Sequence, residues 1–459
     1  MGFRDLVLFY VVTGISLRWI ATAASVGPSS LAVWMGAWFL FYVPLALSVI
    51  ELSSRYPSEG GMYVWASEAF GDGAGFLAGW LYWSSNLPYF PTVLYFAASN
   101  ILFLRADWRA QSHNQAYFLL FSLAAMAVLT GVNLIGLNIA KWTYNIGALG
   151  MWIPAAMAVV LGIAAWAHFG SANTFSLKAI TPTFEMKNVM LWATLVFALG
   201  GCEAAAFLGG EIKDPRRNLP RGLLVAGVSV AFCYIIGTFC VLLALPSNET
   251  SILDGLIQAI ERTASRFGIP GLTPAAAVLI AASNIGAAAA FLAAAARLPF
   301  VAGMNGLLPK AFGKIHPKWK TPWVAVLSQG VFGMVFVLMG QAGTTVRGAY
   351  QVLVDISVIT YMLPYLFVFA SLIRLQRVPA EPGVLRVPGG KNVARGVAVV
   401  GFVTATLAIV LSMIPPPDEP RPWLAVGKII GSSVLMIAVG MGLYWAGKRR
   451  TRRAVGNAA

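Results

Sequence analysis

Phe197-Ala198-Leu199-Gly200-Gly201-Cys202-Glu203 decides how this chain is read. A glycine pair and a carboxylate stand in the middle of an apolar run at about residues 188–210. The run that opens the chain, at about 6–26, is interrupted in the same way by Thr13-Gly14-Ile15-Ser16. Glycine costs about 1 kcal/mol relative to alanine inside a helix. Backbone that leaves a helix within a bilayer must be satisfied by protein or ligand, because lipid offers no hydrogen bonds. Paired interruptions in corresponding helices point to the substrate site of a secondary transporter. Half-helix N-termini at such a site expose N–H groups suited to a carboxylate. The structural alternative is close helix packing through small residues, as Gly75 and Gly79 would allow.

The composition agrees with a membrane reading. Of 459 residues 58% are hydrophobic and 11% charged, and the mean hydropathy is +0.75. Soluble proteins carry about 25% charged residues. A disordered chain and a secreted disulfide scaffold are excluded. So is a β-barrel porin, whose lumen would demand alternating polar residues. Cys202, Cys233 and Cys240 all lie inside apolar runs and form no CxxC, so they read as small buried hydrophobes. The runs suggest twelve helices, at about 6–26, 31–54, 74–104, 114–134, 139–166, 188–210, 221–245, 272–299, 322–340, 350–374, 395–415 and 423–447. Arg4 and Ala21-Thr22-Ala23 imitate a signal peptide, but Thr13, Gly14, Ser16 and Arg18 break its apolar region. An uncleaved first helix is expected.

The expected fold is an all-α polytopic membrane protein with a single transporter domain. Helices one and six each open a set of five, at about 6–166 and 188–374, and an odd number per set inverts one set relative to the other. Two further helices fill about 395–447, and 448–459 is a basic tail. The net charge of +15 reports topology rather than nucleic acid, because the basic residues sit between apolar runs. With the N-terminus inside, Arg4, Arg55, Lys141, Lys213–Arg221, Arg297–Lys320, Arg374–Arg395 and Lys448–Arg453 all fall on the cytoplasmic side. Both termini are therefore expected in the cytoplasm, most simply of a bacterial inner membrane. The tail reads as a stop-transfer anchor or as a ligand for anionic headgroups.

Three stretches carry a resemblance. Glu51-Leu52-Ser53-Ser54-Arg55-Tyr56-Pro57-Ser58-Glu59-Gly60-Gly61-Met62-Tyr63, continuing to Ala69-Phe70-Gly71, resembles the second helix and first loop of amino acid–polyamine–organocation permeases. Phe197 to Glu203, then Gly210-Glu211-Ile212-Lys213-Asp214-Pro215-Arg216-Arg217-Asn218-Leu219-Pro220, resembles that family's sixth helix and the loop after it. Gly306-Leu307-Leu308-Pro309 and Thr321-Pro322 resemble its loop between helices eight and nine. The resemblance implies a five-plus-five inverted repeat working by alternating access. Trp80-Leu81-Tyr82-Trp83, Phe90-Pro91-Thr92-Val93-Leu94-Tyr95 and Leu363-Pro364-Tyr365-Leu366 are similar to glutamate/GABA antiporters. Ser283-Asn284-Ile285-Gly286 and Gly303-Met304-Asn305-Gly306 are similar to polyamine–proton symporters. Two departures stand out. Ile15 replaces a small residue in the family's helix-one break, and Met151 stands where proton-coupled relatives carry a lysine. The second departure fits an exchanger, or coupling through another group.

The expected substrate site follows from both lines. Thr13, Gly14, Ile15 and Ser16 would receive a carboxylate, and Gly200, Gly201 and Cys202 an amine. Trp83 and Asn86 on helix three and Asn284 on helix eight would line it, with Phe197, Phe291 and Ser357 added by the resemblance. Glu203 either holds the broken helix together or takes a proton, since an unpaired charge at mid-membrane is costly. Asp355 is a gate or proton residue, or an interfacial acid near Arg347. Arg18 draws in a carboxylate, pairs with Glu203 or Asp355, or snorkels to the interface. Glu51, Arg55 and Glu59 are expected to cluster with the Lys213–Arg217 loop. No cofactor or metal is implied, and the partners are a small amino acid or amine and the lipid bilayer. The sequence carries no HExxH, GxSxG or phosphate-binding glycine–lysine loop, which argues against an enzyme. An amino acid permease leads, by proton symport or exchange. A polyamine carrier follows, and a non-transporting nutrient sensor is the reading from another class.

Overall fold

A computed structural model describes residues 2–57, 60–135, 137–204, 212–296, 308–415 and 419–456. Among these residues there are helices and no strand. The elements are α1 (Phe3–Gly14), α2 (Leu17–Val26), α3 (Ser29–Arg55), α4 (Met62–Phe70), α5 (Asp72–Leu104), α6 (Gln115–Ile135), α7 (Leu137–Phe169) and α8 (Met186–Ala198). They continue as α9 (Pro215–Ala244), α10 (Gly255–Arg266), α11 (Leu272–Ala295), α12 (Trp323–Gln341), α13 (Val346–Leu375), α14 (Gly390–Leu411) and α15 (Pro422–Gly456). Proline and glycine set several of the boundaries. α2 closes on Gly27, whose φ of 109° suits glycine, and Pro28 follows. α9 opens with Pro215 in its first turn, where a missing N–H costs nothing.

Among the described residues ten helices are long and apolar enough to cross a bilayer, so the chain is a multi-pass integral membrane protein. They coincide with ten of the twelve runs read from sequence. The other two are the interrupted ones. The first is split into α1 and α2, and the sixth is helical over α8 and leaves the helix at Leu199, with 205–211 outside the described residues.

The chain forms two compact units, Met1–Gly79 with Ala158–Ala259 and Tyr361–Ser412, and Trp80–Met157 with Ile260–Thr360 and Met413–Ala459. In the first, α1 and α2 pack on α9, and α8 packs on α14 and α3. Trp34 stacks on Tyr234 with ring centroids 4.4 Å apart and donates to Thr238 Oγ1 at 3.1 Å. Small residues bring helices close: a methyl on Gly162 would lie 2.7 Å from the Cys240 carbonyl oxygen. In lipid this contact matters more than apolarity, because lipid tails are as apolar as leucine. In the second unit, Phe90, Val93 and Leu94 of α5 meet Met126 and Leu129 of α6, Ala288 and Leu292 of α11, and Ala325 of α12.

Candidate functional site: two opened helices

The break in the first span is short. α1 ends at Gly14, Ser16 is extended at φ −136° and ψ 124°, and α2 starts at Leu17. Extended backbone leaves a carbonyl and an amide without helical partners. Tyr234 of α9 answers both: its hydroxyl donates to the Gly14 carbonyl at 2.8 Å and accepts from the Ser16 N–H at 3.0 Å. Stacking on Trp34 fixes that ring. Ile15 is buried, and the side chain of Thr13 lies outside the described residues.

The second break follows α8. Gly201 has φ 110°, a left-handed conformation that costs a residue with a Cβ and suits glycine. Gly200 is required by crowding, since a methyl there would lie 2.6 Å from the Tyr361 ring and 2.8 Å from the Tyr365 hydroxyl. Residues 202–204 then form a single 3₁₀ turn. Glu203, 0% exposed, folds back over the break. Its Oε2 accepts from the Gly201 N–H at 3.1 Å and from the Tyr365 hydroxyl at 2.8 Å. Its Oε1 accepts from the Tyr361 hydroxyl at 3.0 Å. The Tyr365 oxygen itself accepts from Gly201 N–H at 3.0 Å, so the broken backbone, the carboxylate and the phenol form one network. Through these bonds Glu203 links the Gly201 backbone to Tyr361 and Tyr365.

Aromatic contacts join the two breaks within the first unit. Trp19 lies edge-on to Phe197 at 5.5 Å, and Phe197 lies edge-on to Tyr361 at 5.3 Å. Arg18 is 2% exposed, with its guanidinium carbon 4.1 Å above the Trp19 ring. It is buried beside the first break rather than snorkelling. Gly14, Ile15, Ser16, Arg18, Phe197, Gly200, Gly201, Cys202 and Glu203 are therefore gathered in one unit. Tyr234, Tyr361 and Tyr365 were missed as functional residues in the sequence reading. Their signal was there: a phenol inside an apolar helix needs a partner for its hydroxyl, and Tyr361 and Tyr365 are four apart, on one helix face.

The remaining expected residues lie in the second unit. Asn86 donates to the carbonyls of Tyr82 and Trp83, Asn284 to that of Ile280, and Ser357 to that of Leu353. Each of these polar groups is bound back to its own helix. Trp83 is buried, and Phe291 packs 5.0 Å from Tyr89. Asp355 is buried on α13, its Oδ1 accepting from Gln351 at 3.2 Å. Among the described residues no metal-binding group of His, Cys, Asp or Glu is found.

The signature at the end of α3 has other partners than those expected. Glu51, 1% exposed, accepts from Arg55 Nη2 at 2.8 Å, Gln376 Nε2 at 2.6 Å and the Val387 N–H at 2.8 Å. Arg55 in turn donates to the carbonyls of Leu375 and Val378, and Ser54 Oγ accepts from the Leu385 N–H. The cluster thus ties α3 to the segment after α13, where the sequence reading had placed the Lys213–Arg217 loop. The packing of α14 on α3 brings that segment within reach. Glu59 lies outside the described residues, as do Gly210-Glu211, Gly303-Met304-Asn305-Gly306 and Leu307.

A family model described as amino acid permease matches residues 2–439. The chain belongs to the amino acid permease family. An uncharacterized transporter of Legionella pneumophila is 29% identical to this permease over 95% of the chain and 94% of its own length. A probable agmatine/putrescine antiporter of Lactococcus lactis is 23% identical over 86% of the chain and 84% of its length. A glutamate/gamma-aminobutyrate antiporter of Lactococcus lactis is 24% identical over 82% and 76%. The permease is thus a membrane transporter of amino acids or amines and not an enzyme.

Proposed function

We propose that this permease exchanges a small amino acid across the membrane by alternating access, and that its substrate is held where α1 gives way to α2 and α8 ends. The observation that carries the reading is the pair of openings in one unit, each closed by a tyrosine hydroxyl. A hydroxyl can yield its place to a ligand at little cost, because a substrate group restores the hydrogen bond it breaks. The carboxylate is received at the N-terminus of α2, with Arg18 beside it, where helix N–H groups and the dipole favour negative charge. The amine is received at Gly200 to Cys202, near the Glu203 carboxylate and the faces of Phe197 and Tyr361. Opposite charges at the two ends suit a zwitterion.

The architecture we propose is twelve spans, with helices of 6–166 and 188–374 as inverted repeats and 395–447 as two added helices, both termini being cytoplasmic in a bacterial inner membrane. Exchange is favoured over proton symport by Met151 and by the antiporters among the relatives. Glu203 and Asp355, both buried, are the acids available for proton coupling. They also support the second reading, an amine carrier, together with the relative named for agmatine and putrescine.

The test is counterflow into proteoliposomes loaded with unlabelled amino acids or amines, paired with a screen for ligands that raise the melting temperature. Ligands that favour the folded state stabilise it by mass action. A zwitterionic amino acid is expected to stabilise the protein and to show trans-stimulated, saturable uptake. Stabilisation by putrescine-like diamines alone would move the assignment to the second reading. Binding without uptake would make the chain a sensor.

A further inference from the structure

The surface of the first unit carries a groove lined by residues that take no part in either break. Phe70, at the end of α4, Ala370 and Ile373 on α13, and Val399 and Phe402 on α14 line a cavity of about 330 Å³. Its remaining lining residues are Arg374 and Arg377. The apolar residues are open to the surroundings: Phe70 is 41% and Val399 48% exposed. Tyr365 of the Glu203 network is nine residues before Arg374, about 13 Å along the helix.

Depth and charge together say what fits. Ala370, Ile373, Val399 and Phe402 lie inside the spans Val346–Leu375 and Gly390–Leu411, so the slot faces hydrocarbon. Arg374 and Arg377 stand where the first of these spans ends, the position from which long basic side chains reach headgroups. That is the end assigned to the cytoplasm by the basic residues, where anionic lipids concentrate. Nearby Arg55 is fully engaged, with Glu51 and two carbonyls. Among the described residues, Arg374 and Arg377 have no carboxylate partner. Arg374 is instead laid over the Phe70 ring, 5.1 Å from its centre, which holds the guanidinium at the rim of the slot. A guanidinium fork matches a phosphate with paired N–H donors. We propose that this groove is a binding site for an anionic phospholipid of the surrounding leaflet, with an acyl chain along Ala370, Val399 and Phe402 and the phosphate between Arg374 and Arg377.

The test uses the full-length protein in detergent, titrated with phosphatidylglycerol or with phosphatidylethanolamine of the same acyl chains, and bound lipid counted by native mass spectrometry. Wild type is expected to retain phosphatidylglycerol preferentially. The double variant Arg374→Ala/Arg377→Ala is expected to lose about 25-fold in phosphatidylglycerol affinity, roughly fivefold for each cation. Arg374→Lys/Arg377→Lys keeps both charges and removes the guanidinium forks, so it is expected to fall between wild type and the alanine variant, which separates charge from fork geometry. Val399→Trp fills the slot with both arginines intact and should weaken both lipids. The basic tail is common to all variants, so differences among them report on the groove. Equal retention of the two lipids by wild type, or an unchanged preference in the alanine variant, overturns the proposal. Displacement of bound lipid by glycerol phosphate at matched concentration also overturns it, by making the site one for a soluble phosphate.

Discussion

Tyr234 shows how much one hydroxyl can do when it is the partner of opened backbone. It satisfies the Gly14 carbonyl and the Ser16 N–H together, at a point where lipid can satisfy neither. Tyr234→Phe keeps the stacking on Trp34 and removes only those bonds. An orphaned buried polar group costs about 1–3 kcal/mol. The variant is therefore expected to melt several degrees lower in detergent and to take up substrate more slowly. Glu203 and Tyr361 make a second residue-scale case, because they share one hydrogen bond. In a double-mutant cycle of Glu203→Gln and Tyr361→Phe the melting free energies are expected to be non-additive by about 0.5–3 kcal/mol. Additive effects would show that the carboxylate and phenol act independently. Glu203→Gln is also expected to lower uptake, and an unchanged rate and pH profile would exclude a proton role.

At the scale of elements, the break after α8 rests on two glycines with different tasks. Gly200 has two tyrosines against the place a methyl would take, and Gly201 has a left-handed φ. Overpacking of that kind costs about 1–3 kcal/mol. Gly200→Ala is expected to destabilise the protein by that amount and to abolish uptake. The control is Gly131 on α6, where a methyl meets nothing within 4 Å. Gly131→Ala is expected to be neutral or stabilising by about 1 kcal/mol, since alanine is the better helix former. Equal melting shifts for the two would count against a specific opened geometry after α8. Both breaks were legible in sequence because glycine and polar residues in an apolar run are local signals. The gathering of Arg18, Trp19, Phe197 and Tyr361 was not, because it depends on how helices far apart in sequence are rotated about their axes.

At the scale of the molecule, the buried Glu51–Arg55 pair holds the segment after α13 against the end of α3. Removing one partner of a buried ion pair costs about 3–5 kcal/mol, because the other charge is left uncompensated. Glu51→Ala is expected to lower the melting temperature sharply and to speed amide exchange over residues 376–387. Exchange unchanged there would mean that the segment is held by other contacts. The proposed topology has its own check. A fluorescent reporter fused after the basic tail should fold and fluoresce if that tail is cytoplasmic, and an alkaline phosphatase fusion there should be inactive. The opposite pattern would invert the assignment.

Hydropathy, glycine placement and the Glu51–Tyr63 motif determined, without coordinates, that this is a helical transporter of the permease family with two opened spans. These are properties of neighbouring residues, so the chain's order displays them. Only the tertiary structure decided who closes the openings. Tyr234 lies 218 residues from Ser16, and Tyr361 lies 158 from Glu203. It also chose Gln376 and Val387, rather than the basic loop before α9, as partners of Glu51. A hydrogen bond across that much chain depends on helix register and rotation, which are set by packing and leave no mark in the linear pattern.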